Sequence, residues 1–149
     1  METRLNRLNK EDKLKVHSLK QALNDSHVEN KNGTMAQFGK LMFQADSFDP
    51  LSFDNEELVV QYDIFKSVWK EAKVLRQSEK LLEQGKKIQC PVVAIHGNYD
   101  SSPTEGIKEP LSKILKDFRF ILLKNCGHTP WIERTAKDSF YKILKNELN

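Results

Sequence analysis

Cysteine is scarce in this chain, long apolar runs are missing, and neither sign of charge dominates. The two cysteines, Cys90 and Cys126, form no Cys-x-x-Cys pair and are too few for a disulfide framework. Each lies beside an expected strand, so both are expected to be buried, reduced thiols. No apolar stretch approaches the ~20 residues of a membrane helix, so no membrane partner is expected. The 24 basic and 21 acidic residues leave a net charge of +3, with the signs interspersed. With no basic face and no aromatic-rich RNA-binding pattern, nucleic acid is not an expected partner. The Lys-rich start (Lys10, Lys13, Lys15, Lys20) is balanced by Glu2, Glu11 and Asp12 and reads as a solvated helix face. There is no internal repeat and no low-complexity tract. The charged, amphipathic N-terminal segment is unlike a signal peptide and makes the cytoplasm the expected compartment.

What is present suits a globular protein: 149 residues, 38% hydrophobic and 30% charged, enough for one ordinary domain or two small ones. The pattern changes near residue 86. Before it, apolar residues recur at helical spacing. Leu5, Leu8, Asp12, Val16, Leu19 and Leu23 predict one helix over about residues 3–24. Asn24-Asp25 and then Asn30-Lys31-Asn32-Gly33 are expected to stop it. A second helix is expected from Thr34 as N-cap, with Met35, Phe38, Leu41, Met42 and Ala45 on one face. A third is expected from Asp54, where Asp54 and Glu57 have capping-box spacing, with Leu58, Tyr62, Phe65, Val68, Trp69 and Ala72 on its apolar face. A short fourth runs from Ser78 to Gly85.

After residue 86 strands and helices alternate. Val92–His96 is a β-branched, apolar run without polar alternation, as expected of a strand buried on both faces of a parallel sheet. Pro103, following Ser102, suits the first turn of a helix faced by Leu111, Ile114 and Leu115. Phe118–Leu123 is the second strand, and a last helix over 135–148 is expected to bury Phe140, Ile143, Leu144 and Leu148. This succession predicts a parallel β-α-β-α unit.

Two side chains suited to proton transfer follow the two strands: Asp100 after the first and His128 after the second, 28 residues apart. In an open parallel sheet, functional groups gather at the C-terminal strand ends. Neighbouring strands would bring both turns to one edge, where a carboxylate could orient an imidazole as general base. Either residue alone reads as a cap or loop residue; the pair in register favours a catalytic origin. His96, at the end of the first strand, reads as a packing or hydrogen-bonded histidine, and His17 and His27 as exposed ones. A metal site from His96, Asp100 and His128 has no diagnostic spacing, so neither metal nor cofactor is expected. Trp131 is expected to pack beneath the last helix rather than wall a pocket. Glu133 is expected to be structural, bonding the loop or facing the last helix's N-terminus. The faces carrying Phe38, Leu41, Met42, Tyr62, Phe65 and Trp69 read as core, with an acyl-binding surface as the functional alternative.

Cys90-Pro91-Val92-Val93-Ala94-Ile95-His96-Gly97-Asn98-Tyr99-Asp100 is similar to the strand, small turn and acid of the α/β-hydrolase family. Asn125-Cys126-Gly127-His128-Thr129-Pro130-Trp131-Ile132-Glu133 resembles the family's Gly-His-x-Pro-x-x-Glu segment, and is the more specific match. The resemblance covers about residues 86–148. It implies that Asp100 is the triad acid and His128 the base, that residues 86–149 are the C-terminal β-α-β-α part of the core, and that residues 1–85 form a helical, lid-like region. The family orders its triad nucleophile, acid, histidine. Here no serine sits in Gly-x-Ser-x-Gly, and neither cysteine lies between a strand and a helix. The resemblance therefore implies an incomplete α/β-hydrolase fold lacking the N-terminal nucleophile half. The expected substrate is a small-molecule ester or related acyl compound once that half is supplied, with no activity from the chain alone. Two strands also leave open edges, so the alternative is a non-catalytic α/β interaction module, or a homo-oligomer, assembling through a sheet edge or the helical surface.

Overall fold

A computed structural model describes residues 1–51 and 59–148. The first expected helix is two: α1 (Glu2–Arg7) and α2 (Lys10–Asn24). The break falls at Leu8, which is extended, and Asn9, whose side chain accepts the Asp12 N–H at 2.8 Å. An Asn oxygen satisfies an otherwise unpaired helical amide, and Asn9 Nδ2 donates to Asp12 Oδ2 at 2.8 Å in return. Asn9-x-x-Asp12 was thus a start signal inside the apolar stripe.

The Asn-rich stretch expected to stop a helix instead begins one. α3 (Lys31–Asp46) starts three residues ahead of Thr34, because Asn30 Oδ1 accepts the Gly33 N–H at 2.8 Å. Thr34 lies in the first turn, its hydroxyl donating to Asn30 O. α4 (Tyr62–Gln77) takes its first cap from outside itself: the Tyr62 N–H donates to Asn32 Oδ1 at 2.9 Å. The expected start at Asp54, with Glu57, lies outside the described residues. α5 (Lys80–Gln84) and a 3-10 turn (Gly85–Lys87) lead into the sheet.

The sheet has two parallel strands, β1 (Val92–Gly97) and β2 (Phe118–Leu123), joined through α6 (Glu105–Ile114). Their register runs from Val92↔Phe118 to Gly97↔Leu123, so the strand ends are level. α7 (Lys137–Leu148) closes the described chain. The strands are not buried on both faces. His96 and Gly97 are buried in β1 and Leu123 alone in β2, while Leu122 is 47% exposed. A two-stranded sheet has too few layers to enclose its own apolar run. Leu148 is likewise exposed, contrary to expectation, and α7 turns Phe140 and Ile143 towards the sheet instead. Cys126 is fully buried as expected, but Cys90 is exposed, because it precedes the strand outside the core.

Two small cores result. Leu8, Val16, Leu41, Met42 and Ala45 join α1, α2 and α3; Leu123, Cys126 and Ala136 join the sheet to α7. The architecture is mixed α/β, mostly helical, with a small parallel sheet. No described helix is long and apolar enough to cross a membrane.

Candidate functional site

Level parallel strands put the two chain reversals side by side. Beyond β1, the Asp100 N–H donates to Gly97 O at 3.1 Å and closes a turn. That turn is tied to the one after β2 by Asn98 N–H to Leu123 O and Tyr99 N–H to Cys126 O, both 2.9 Å. Asn125 reverses the second chain in the left-handed region, φ 50°, which Asn tolerates better than most residues. Gly97 is needed for the approach: a Cβ there would stand 2.2 Å from Cys126 O and 2.3 Å from Gly127 O.

The two expected side chains meet. His128 Nδ1 and Asp100 Oδ2 are 2.6 Å apart. An ionised carboxylate can only accept, so Nδ1 carries the proton. The Asp100 side chain is almost completely buried, whereas that of His128 is 58% exposed. No hydrogen bond to His128 Nε2 is made among the described residues, which leaves a lone pair facing outward. Asp100 Oδ1 accepts the Ser102 N–H at 2.8 Å, fixing the carboxylate plane. His96 takes the packing role: it is buried, its Nε2 donates to Ser102 O at 3.1 Å, and its Nδ1 lies 3.8 Å from Asp100 Oδ2. Among the described residues no three His, Cys, Asp or Glu side chains are grouped to hold a metal ion. His17 and His27 are exposed, and Trp131 packs on Phe140 of α7 with ring centroids 6.0 Å apart.

Burial by itself would push the Asp100 carboxyl up. The Ser102 N–H, the hydrogen bond and charge of His128 and the charge of His96 outweigh it and hold the carboxyl below the usual range. A carboxyl lower in the folded than in the unfolded chain stabilises the fold above its unfolded value, about 3.9. That contribution is lost as pH falls through the folded value. Wild type is therefore expected to exceed Asp100→Asn in stability near pH 5, by a margin that shrinks as pH falls below about 4. Urea unfolding of both proteins across this range measures it.

Glu133 is fully buried and bonds its own loop, one of its two expected roles, while its backbone oxygen accepts the Lys137 N–H at the start of α7; sequence alone missed the second segment it holds. Its Oε1 accepts from Phe48 N at 2.8 Å and Gly127 N at 3.0 Å, and its Oε2 from Asp49 N at 2.7 Å. The chain leaving α3 is thereby strapped to the turn carrying His128. The His128 N–H donates to Asp46 O, Leu51 N–H to Ile132 O and Arg134 N–H to Asp49 O, all within 2.9 Å. The Asp46 carboxylate in turn takes both oxygens to Arg4 Nε, at 2.8 and 2.7 Å, and Arg7 lies 3.7 Å over the Tyr99 ring. The signal was a lone acid inside a loop, without a pattern naming its partners.

The nearest thiol is not a nucleophile. The Cys126 thiol is pushed up to about 11, first by burial and then by the charges of Glu133 and Asp100, and it donates to Gly127 O. No described serine, threonine or cysteine side chain bonds to His128. No family model, curated protein or solved structure matches this chain.

Proposed function

We propose that this chain carries the acid–base arm of an α/β-hydrolase-type site acting on esters or related acyl bonds. The 2.6 Å contact between Asp100 and His128, at the ends of adjacent parallel strands, is the observation that supports it. Asp100 fixes the ring and stabilises the imidazolium; exposed Nε2 accepts a proton. The nucleophile, a hydroxyl or thiol, would come from a separate segment placed against Nε2. It attacks the acyl carbon as its proton passes to Nε2, and the carbonyl electron pair moves to oxygen. Collapse of the tetrahedral adduct expels the alcohol oxygen, which takes that proton from Nε2. Water then repeats the sequence on the acyl intermediate and restores the nucleophile.

The chain alone is expected to leave unactivated esters intact. A nitrophenyl acetate, which an imidazole can attack unaided, is expected to be cleaved slowly and chiefly by His128. His128→Ala should remove most of the histidine-dependent rate, while His17→Ala and His27→Ala each remove little. Equal losses in all three variants would refute the assignment, since His128 would then act as any exposed imidazole.

A second reading, an interaction module assembling through a sheet edge or the helical surface, is favoured by the exposed apolar side chains of α4, Ile64, Val68 and Val74. Light scattering decides: a monomer across the micromolar range counts against it.

A further inference from the structure

The helical half carries a concave surface, apart from Asp100 and His128. α4 alternates apolar and basic residues along one side, yet Tyr62 is its single buried residue. The Tyr62 N–H bonds to Asn32, and the hydroxyl donates to Leu23 O at 3.0 Å. These bonds stand α4 against α2 and α3 and leave a groove of about 460 Å³ between them. Leu23, Met35, Phe38, Phe65 and Trp69 floor it. Phe65 and Trp69 remain 41% and 48% exposed, with ring centroids 5.8 Å apart.

The rim has one sign of charge. Lys20 of α2 and Lys66, Lys70 and Lys73 from successive turns of α4 border the groove, and no acid among the described residues lines it. Asp63 and Glu71, the acids of α4, are not among its lining residues. None of the ion pairs among the described residues engages these four lysines. Arg76 adds a fifth cation, 4.8 Å over the Trp69 ring. Clustered like charges beside open aromatic surface repel one another in the free protein, and an anion relieves that repulsion. Ammonium groups are flexible point charges that do not demand a planar head group.

We propose that this groove binds a single-chain anionic amphiphile. Its apolar tail lies on Phe38, Phe65 and Trp69, and its carboxylate or phosphate head is held by Lys66, Lys70 and Lys73. The site does not depend on the Asp100–His128 assignment. Phe38 and Asp46 are eight residues apart on α3, about 12 Å along the helix at 1.5 Å per residue. A neutral ester offers nothing to four ammonium groups.

Trp69 reports occupancy once Trp131→Phe removes the other indole. Titration with dodecanoate and with dodecyl phosphate, below their micelle concentrations, is expected to change Trp69 emission saturably, one molecule per chain. Dodecyltrimethylammonium should bind at least about tenfold more weakly, a difference of about 1.4 kcal/mol. Inorganic phosphate should leave the emission unchanged. Lys66→Glu with Lys70→Glu, both at exposed positions, should weaken the anions about tenfold or more, and added salt should weaken them in the parent protein. Circular dichroism confirms that the variant is folded. Four results would overturn the proposal: equal binding of anionic and cationic amphiphiles, no saturation below the micelle concentration, binding only to anionic vesicles, or a signal that reports dissociation of a dimer joined through α4.

Discussion

Replacing Glu133 with leucine is expected to cost about 3–5 kcal/mol, a large share of the stability of a domain this size. The carboxylate is fully buried and accepts three backbone amides from two segments far apart in sequence. A hydrogen bond to a charged group contributes about 1.5–3 kcal/mol net. The Phe48 and Asp49 amides lie nearer the surface and regain water when freed, which keeps the total below the sum. Glutamine ranks the effect. With its oxygen at the Oε1 position it still serves Phe48 and Gly127, and its amino group then opposes the Asp49 N–H. Glu133→Gln is therefore expected to lose about 1–3 kcal/mol, less than leucine. Denaturant unfolding gives both values. Hydrogen exchange locates them: the Phe48, Asp49 and Gly127 amides should lose protection first. Uniform loss across the chain would contradict the strap.

Gly97→Ala is expected to cost about 3 kcal/mol, at the upper end of overpacking, and to separate Asp100 from His128. A Cβ there would meet two backbone oxygens, those of Cys126 and Gly127, well inside contact distance. Backbone cannot rotate aside as a side chain can, so the whole histidine turn must move. The bond from Tyr99 N–H to Cys126 O sits at the same point and should lengthen. Gly39→Ala and Gly106→Ala are the controls. Both lie in helices, and nothing stands within 4 Å of the added Cβ. Alanine there should stabilise by up to about 1 kcal/mol. Thermal unfolding of the three variants separates crowding at Gly97 from a general intolerance of alanine.

The strands were legible because their signals are local. Val92–His96 and Phe118–Leu123 are short apolar runs bounded by turn residues, and the α6 pattern between them requires a parallel crossover. From that topology alone, Asp100 and His128 had to approach one another. Helix ends were less legible, because an Asn ends one helix or begins the next according to a single side-chain bond. Asn9 and Asn30 both begin one. Burial of the strands was overestimated, since an apolar run does not state how many layers will cover it. Glu133 was expected to bond its own loop and does so at Gly127, but its reach to Phe48 and Asp49 was invisible, because they lie 85 and 84 positions away and are ordinary loop residues. Of the apolar faces before residue 86, Leu41, Met42 and Tyr62 are buried, Phe38 packs against the core and also lines an open groove, and Phe65 and Trp69 line that groove with large exposed areas. Periodicity marks a face, and packing decides whether it is covered.

Asp100 holds His128 with the proton on Nδ1 and leaves Nε2 free. Long-range nitrogen–proton correlation spectra of the histidine rings at neutral pH test it most directly. A protonated Nδ1 and a bare Nε2 are expected for His128, a pattern lost in Asp100→Asn and unlike that of exposed His17 and His27. A His128 ring matching those two, unchanged by Asp100→Asn, would contradict it.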